Sequence, residues 1–225
     1  MVNRKATIAA LLDRYGRTYA QEAGIRLADR PAPLYQVLVL ATLLSARISA
    51  DVAVAAAREL FAAGCRTPRG MLAASWQDRV DALGRGHYRR YDERTATMLG
   101  RAAERCQQRW RGDLRRLHAE GGGDRKRLRA LLSEFPGIGP TGADIFLREV
   151  AAVWADAGFE PDTKVMAGAE RLGLPADRLA TLVPERELPR LASALVRVAL
   201  DRKAADAVRD AAGRPARRPG HRGAG

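Results

Sequence analysis

The chain is poor in the residues that build several kinds of site. Its 225 residues include only two cysteines, Cys65 and Cys106. They are too few for a disulfide framework, a four-thiolate zinc site or an iron–sulfur cluster held by this chain alone. No GxxxxGKS/T loop, no GxGxxG motif and no zinc-ligand spacing occurs, which argues against chemistry driven by a nucleotide or by zinc. We therefore expect neither a bound metal nor an organic cofactor, and we place both cysteines in the core.

Long apolar runs are also missing. No stretch approaches the roughly 20 apolar residues that a membrane-spanning helix needs. The first residues, Met-Val-Asn-Arg-Lys-Ala-Thr, lack the apolar core of a signal peptide. The sequence therefore predicts a cytoplasmic protein without membrane association.

Acidic residues are outnumbered by basic ones. The chain has 39 Lys and Arg residues against 26 Asp and Glu residues, which gives a formal net charge of +13. Each cation placed on a phosphate releases a condensed counterion, so this excess favours a polyanionic partner. A GC-rich genome also enriches arginine, and the charge alone therefore does not establish nucleic acid as that partner.

Signals for β-strands are nearly absent, whereas helical periodicity recurs. Between residues 92 and 110, apolar residues stand at Ala96, Leu99, Ala103 and Cys106 with charges between them, which is a helical spacing. Residues 188–200 repeat the pattern. The sequence predicts an all-α protein, with its three tryptophans in the core.

Residues 203–225 are predicted to form a basic disordered tail, which either holds phosphates loosely or is only solvated.

One segment indicates phosphate binding. Phe135-Pro-Gly-Ile-Gly139 lies between two predicted helices, and Pro140 suits the first turn of the second helix. Gly137 and Gly139 around Ile138 predict a tight turn whose backbone N–H groups face outward beside a helix N-terminus, an arrangement that binds an anionic phosphate. Ile138 is expected to pack inward. The alternative is an ordinary helix–helix turn with a glycine C-cap.

This segment and others resemble a known family. Phe-Pro-Gly-Ile-Gly is similar to the helix–hairpin–helix of DNA-repair proteins. Downstream, Asp162-Thr-Lys-Val leads after nine residues to Arg171-Leu-Gly, and upstream Leu43-Leu-Ser-Ala-Arg47 opens a similar stretch. Tyr91-Asp-Glu-Arg94 stands between them. In this order the segments resemble the endonuclease III-like members of the helix–hairpin–helix (HhH-GPD) DNA glycosylase superfamily.

The resemblance implies an architecture. It predicts two helical lobes with a DNA-binding cleft between them, in which one nucleotide is flipped out of the duplex. A helical bundle carrying the hairpin would span residues 34–153, and residues 1–33 with 154–202 would form the second lobe. In related hairpins, backbone carbonyls hold a monovalent cation, which the resemblance allows here as well. The DNA-binding residues it implies are Arg47, Gly137, Ile138, Gly139, Thr141 and Gly142.

Two departures from the family pattern bear on activity. Bifunctional members have a lysine two residues after the second hairpin glycine, where this chain has Thr141. Threonine cannot form the Schiff base that precedes strand cleavage. Lys164 is expected to be a solvated or phosphate-facing side chain. Many relatives also hold a [4Fe–4S] cluster with four cysteines near the end of the chain, but no cysteine follows Cys106, so no such cluster is expected.

The resemblance also implies roles for Asp162 and Arg47. Asp162 occupies the place of the family's essential aspartate, which stabilises positive charge on the sugar and orients a water molecule. It also suits the N-cap of the following helix, and the two roles are compatible. Arg47 stands where the family has a glutamine that fills the gap left by the flipped base. It is expected to stack there, or else to contact phosphate.

The sequence thus predicts a monofunctional DNA glycosylase of base-excision repair. It would act as a monomer, in the cytoplasm and associated with the nucleoid, on double-stranded DNA that contains a lesion. The alternative is a catalytically silent helix–hairpin–helix protein that binds damaged or branched DNA. The tyrosines of Arg85-Gly-His-Tyr88-Arg-Arg-Tyr91 are expected to line the base pocket or to contact the DNA backbone.

Overall fold

The computed structural model describes residues 3–213, which contain helices and no β-strand. This confirms the predicted all-α class. The α-helices are α1 (Arg4–Tyr15), α2 (Tyr19–Glu22), α3 (Pro31–Leu44), α4 (Ala50–Ala62), α5 (Pro68–Ala73), α6 (Trp76–Arg85), α7 (Asp92–Trp110), α8 (Leu114–Gly121), α9 (Arg125–Leu132), α10 (Pro140–Val150), α11 (Thr163–Arg171), α12 (Leu188–Leu200) and α13 (Arg202–Gly213). Short 3-10 helices occupy Ala155–Ala157, Ala176–Thr181 and Glu185–Glu187. No helix in this part of the chain is long and apolar enough to cross a membrane.

The described residues form two compact units. The larger comprises Arg17–Glu160 and Pro184–Pro189, and the smaller comprises the remaining described residues. The hairpin segment lies in the larger unit, and Asp162 lies in the smaller one. Residues 17–33 and 154–160 belong to the same unit as the hairpin.

Helix α3 is the central element of the larger unit. Most of its residues are buried, and it is apolar on every face, as expected of a helix surrounded by other helices. It packs against α4, α7, α8 and α10. Thr42 is polar within this core, and its hydroxyl donates a hydrogen bond to the carbonyl oxygen of Leu38 at 2.9 Å. This bond lies within α3 and satisfies the Thr42 hydroxyl inside the core.

The smaller unit joins the beginning of the chain to its later helices. Helix α1 packs against α13, whose Ala204, Ala205 and Val208 are buried. Arg190 and Arg197 of α12 donate hydrogen bonds to the carbonyl oxygens of Gly16 (3.0 Å) and Tyr15 (3.1 Å). These guanidinium groups satisfy carbonyls at the end of α1, where cationic side chains are favourable.

Helix α13 corrects the prediction that a disordered tail begins at residue 203. The structure is helical to Gly213, because small apolar residues at helical spacing give this segment a face that packs against α1. Alanine supplies that face without the large side chains by which an amphipathic helix is usually recognised in a sequence. The rest of the predicted tail, residues 214–225, lies outside the described residues.

The tryptophans and cysteines only partly follow expectation. Cys65, Cys106, Trp110 and Trp154 are buried, as predicted. Trp76 is not, since 41% of it is exposed. It is the first residue of α6, and its indole N–H donates to the hydroxyl of Thr97 on α7 at 3.1 Å. A residue at the very start of a helix can lie over the protein surface rather than in the core, and the prediction for Trp76 was wrong for this reason.

Helices α11 and α12 approach each other closely at Gly168. A Cβ atom added there would lie 2.0 Å from the carbonyl oxygen of Leu195. We therefore expect Gly168→Ala to lower the free energy of unfolding by about 1–3 kcal/mol, the usual cost of overpacking. Gly84→Ala in α6 is the control, because a Cβ there meets nothing within 4 Å, and it should raise stability by about 0.5–1 kcal/mol. Denaturant titration measures both. A Gly168→Ala protein as stable as wild type would contradict the close approach.

The buried thiol of Cys106 predicts a loss of stability in alkali. Burial, with a smaller contribution from the charge of Asp113, raises the pKa of Cys106 from 9.0 to about 12. Above pH 9 the unfolded chain loses this proton while the folded protein retains it, so stability falls as pH rises towards 12. The expected slope is about 1.4 kcal/mol per pH unit for this group. In Cys106→Ala, the free energy of unfolding measured between pH 9 and 11 should fall with pH less steeply, by that amount. An unchanged slope would contradict the assignment.

Candidate nucleic-acid interface

The turn between α9 and α10 is a compact glycine hairpin. Gly137 has a φ of +89°, a left-handed conformation that favours glycine. A Cβ on it would lie 3.0 Å from Cγ2 of Thr42 and 3.3 Å from Sδ of Met98, so the turn packs directly on α3 and α7. Ile138 is 4% exposed and its N–H donates to the carbonyl oxygen of Phe135 at 3.0 Å. The predicted inward packing of Ile138 is therefore observed.

The outer side of the hairpin carries free backbone donors. Gly139 is the N-cap of α10, which has no side-chain capping bond, and Pro140 is in its first turn. Within residues 3–213, the N–H groups of Gly139, Thr141 and Gly142 have no hydrogen-bond acceptor. A Cβ on Gly139 would meet nothing within 4 Å, so an incoming group can reach these amides. Such donors at a helix N-terminus bind anions.

Gly142 also has a packing role. A Cβ on Gly142 would lie 3.2 Å from Cδ1 of Ile138 and 3.6 Å from Cβ of Ser45. Gly142 is buried. An added Cβ atom would therefore face the protein interior, while the backbone N–H lies at the start of α10. Thr141, the neighbouring predicted site residue, is exposed.

A cavity of about 510 Å³ adjoins the hairpin. It lies entirely within the larger unit. Its walls are the end of α3 with the following loop to Arg47, then Tyr88 and the first turns of α7, and finally Gly137–Gly139. The structure thus brings together Arg47, the hairpin and both tyrosines of the basic stretch, which are far apart in the sequence. Thr141, Gly142 and Asp162 are not among the cavity's lining residues.

The cavity lining combines cations, hydroxyls and aromatic rings. Arg47 and Arg94 are exposed and line it together. Tyr91 is half-buried, with the guanidinium of Arg90 at 5.2 Å from its ring centroid. The hydroxyl of Tyr88 is paired with that of Thr95 at 3.4 Å. No Asp or Glu among the described residues lines the cavity, and Arg47 and Arg94 give its lining a net positive charge.

Sequence reasoning missed part of this lining. Thr42, Ser45 and Met98 were not singled out, because nothing local in the sequence distinguishes them from ordinary helix residues. Arg94 could have been identified as a site residue from the sequence, because it ends the motif Tyr91-Asp-Glu-Arg94. That motif places Arg94 in the first turn of α7, directly after the loop that carries Tyr88 and Tyr91.

Asp162 lies in the smaller unit, at the start of α11. It is the N-cap residue, and its Oδ1 accepts hydrogen bonds from the backbone N–H groups of Lys164 (2.9 Å) and Val165 (3.0 Å). The predicted capping role is therefore observed. Asp162 is half-buried, and the two amides at the helix N-terminus fix the orientation of its carboxylate. Lys164 is exposed.

The described residues show no metal-binding group of three or more His, Cys, Asp or Glu side chains. The hairpin offers only backbone atoms and an unpaired helix start, which suit an anion rather than a divalent cation. The larger unit provides backbone donors for phosphate and two arginines beside aromatic rings. The smaller unit holds the carboxylate of Asp162 at a helix start.

The solved structures that the chain resembles include two complexes of endonuclease III with DNA. No protein-family model and no curated protein matches the chain. Endonuclease III in a non-covalent complex with DNA is similar at 19% sequence identity and a TM-score of 0.47, with 85% of this chain and 84% of that chain covered. Endonuclease III in a trapped covalent DNA intermediate with an estranged adenine is similar at the same identity and coverage, with a TM-score of 0.46. Both are likenesses of backbone architecture and say nothing about activity.

Proposed function

We propose that the protein is a monofunctional DNA glycosylase, which hydrolyses the N-glycosidic bond of a damaged or mispaired base flipped out of a DNA duplex. The observation that carries the proposal is the hairpin, because the free amides of Gly139, Thr141 and Gly142 stand at a helix start where a Cβ on Gly139 meets nothing. A net charge of +13 supports a polyanionic partner. No membrane or metal partner enters the proposal.

In this mechanism the hairpin and Arg47 hold the DNA, and Asp162 promotes bond cleavage. The hairpin amides bind a phosphate, and Arg47 enters the gap that the flipped base leaves. The carboxylate of Asp162, held by two amides, stabilises the positive charge that develops on the sugar as the bond to the base breaks. It also orients or deprotonates the attacking water. The products are a free base and an abasic sugar.

Little or no lyase activity is proposed, because Thr141 has no amine with which to form a Schiff base. Without covalent assistance from an amine, bases that leave readily, such as uracil and alkylated purines, are the favoured substrates. No [4Fe–4S] cluster or organic cofactor takes part. A monovalent cation at the hairpin carbonyls remains compatible with this mechanism.

The experiment uses duplexes that each carry one lesion, incubated with the protein and then divided. One half is analysed directly and the other after hot alkali, which breaks the strand at abasic sites. Strand breaks that appear only after alkali are expected for one substrate class. Breaks without alkali, together with a borohydride-trapped protein–DNA adduct, would contradict the monofunctional mechanism.

The second candidate is a silent protein that binds damaged or branched DNA. The observation that favours it is Thr141 itself, since a chain that had lost its chemistry could dispense with the lysine of bifunctional enzymes. Under this alternative no lesion would yield a free base, while DNA binding would persist and weaken steeply with salt.

A further inference from the structure

The residues that lead into Asp162 are held by side chains from the corner between α8 and α9. Residues 154–160, here called the linking segment, belong to the same unit as this corner. We propose that His118 and Arg125 of the corner are positioning residues for the proposed reaction. They act by fixing the linking segment immediately before Asp162. The inference rests on the proposed function and adds two residues to it.

The corner donates hydrogen bonds to three points of the linking segment. Nε2 of His118 lies 3.0 Å from Oδ1 of Asp156, and because an ionised carboxylate has only acceptors, this nitrogen carries the proton and donates. Nη1 of Arg125 donates to the carbonyl oxygen of Gly158 at 3.0 Å. Nε of Arg125 lies 3.4 Å from Oε2 of Glu160. The contacts therefore cover the segment almost to its last residue.

Aromatic packing fixes the imidazole from its other side. The ring of His118 stacks on the indole of Trp154, with the ring centroids 4.3 Å apart and the planes at 16°. Trp154 is buried, and its ring contacts Phe146 of α10 with centroids 5.4 Å apart. Its indole N–H donates to Oδ1 of Asp29 at 3.1 Å. The imidazole is therefore held between a buried ring and the carboxylate that it binds.

The corner supplies the buried half of each ion pair. The side chain of His118 is 21% exposed against 57% for Asp156, and that of Arg125 is 15% exposed against 76% for Glu160. Pairs with so exposed a partner contribute little to overall stability. Their loss should therefore change the position of the linking segment more than it changes the folding of the protein.

The glycine run Gly121-Gly-Gly123 shapes this corner. Gly123 has a φ of +73°, which favours glycine, and a Cβ on it would lie 3.1 Å from Oδ2 of Asp156. A Cβ on Gly121 would overlap the side chain of Leu128, so α8 and α9 meet closely here. The absence of side chains on these glycines thus leaves room for the carboxylate of Asp156 beside His118.

The chain between the linking segment and Asp162 is stiff. Residue 161 is a proline, which fixes its own φ at about −65° and confines the preceding Glu160 to extended conformations. Few rotatable bonds therefore separate the contacts of Arg125 from Asp162. A displacement of about 1 Å at a reacting group can lower a rate by about 10²-fold. A linking segment that is no longer fixed should consequently slow the chemical step.

The test measures base release and DNA affinity separately, with the best substrate among the lesion duplexes. His118→Ala should lower the single-turnover rate at saturating enzyme by about 10- to 100-fold. Its Kd for a duplex with a tetrahydrofuran abasic analogue should change by less than about twofold. His118→Gln, whose amide can still donate to Asp156, should recover most of the rate. Arg125→Ala should lower the rate over the same range, because Gly158 then loses its donor.

Matched variants assign the effect to the linking segment. Asp156→Ala should lower the rate as far as His118→Ala does, and the double variant should be no slower than either, because both remove one contact. Glu59→Ala is the control, since it breaks the exposed pair with Arg85 at 3.0 Å in the same unit, and its rate should equal that of wild type. Amide hydrogen exchange in the linking segment should accelerate in His118→Ala and Asp156→Ala but not in the control.

The outcomes separate this inference from the proposed function. If wild type releases base and His118→Ala and Arg125→Ala release it equally fast, the inference is wrong and the glycosylase proposal stands. Faster exchange without slower release, a slower rate explained by weaker DNA binding, or no recovery in His118→Gln would also overturn it. A slower rate at unchanged Kd, with recovery in His118→Gln, supports it. A wild-type protein that releases no base from any lesion overturns the proposed function and this inference with it.

Discussion

Asp162→Asn is expected to lower the single-turnover rate of base release by about 10²- to 10⁴-fold, the range for loss of a catalytic acid–base or charge-stabilising group. The reason is the loss of negative charge next to the developing cation, because the asparagine oxygen can still accept from the same two amides that now bond Oδ1. Rates are measured with enzyme in excess over a duplex that carries the best substrate of the lesion series.

This substitution separates chemistry from capping. Asparagine is as good an N-cap as aspartate, so the free energy of unfolding should change by less than about 0.5 kcal/mol. DNA affinity should not fall. Asp162→Ser, which also caps but has no carboxylate, should be equally inactive. If Asp162→Asn released base at the wild-type rate, Asp162 would be a capping residue only and the catalytic proposal would be wrong.

Gly139→Asp is expected to weaken DNA binding by about 10²-fold or more while leaving the protein at least as stable. The substitution adds a side-chain cap that α10 now lacks, and a negative charge at a helix N-terminus contributes about 0.3–1 kcal/mol. The same carboxylate would occupy the amides that are proposed to bind phosphate and would repel it, by about 4 kcal/mol at 4 Å for an effective dielectric constant of 20. Denaturant titration and DNA binding are measured on one preparation.

Two neighbouring variants control this result. Gly139→Asn caps the helix without charge and should weaken binding less than Gly139→Asp. Gly137→Ala acts through the fold instead, since Gly137 has a φ of +89° and a Cβ there crowds Thr42 and Met98. It should lose about 1–3 kcal/mol of stability. If Gly139→Asp bound DNA as tightly as wild type, the hairpin would not be the phosphate site.

Much of the hairpin could be predicted from the sequence because its determinants are local. A left-handed glycine, an inward isoleucine and a proline at the helix start each act within a few residues, so Phe135-Pro-Gly-Ile-Gly was sufficient to predict the turn. The N-cap at Asp162 is local in the same sense, since the bonds from Lys164 and Val165 span only two and three residues.

The cavity could not be predicted in this way. Its walls come from α3, the loop before α7 and the hairpin, and only tertiary packing decides which faces of those elements meet. Arg47 was therefore recognised by its position in a motif. That Arg94 lines the same cavity was not predicted. Helix α13 was missed for a different reason. Its apolar residues recur at helical spacing, but its low mean hydropathy made residues 203–213 look like part of the basic tail.

The most direct test of the account is detection of the free base. Wild-type protein is mixed in excess with duplexes that each contain one lesion, uracil and alkylated purines included, and the released base is identified by mass spectrometry over a single turnover. The account predicts release of one class of base, leaving an abasic strand that remains intact without alkali. No free base from any duplex, with DNA binding intact and salt-sensitive, would contradict the glycosylase and favour the silent binding protein.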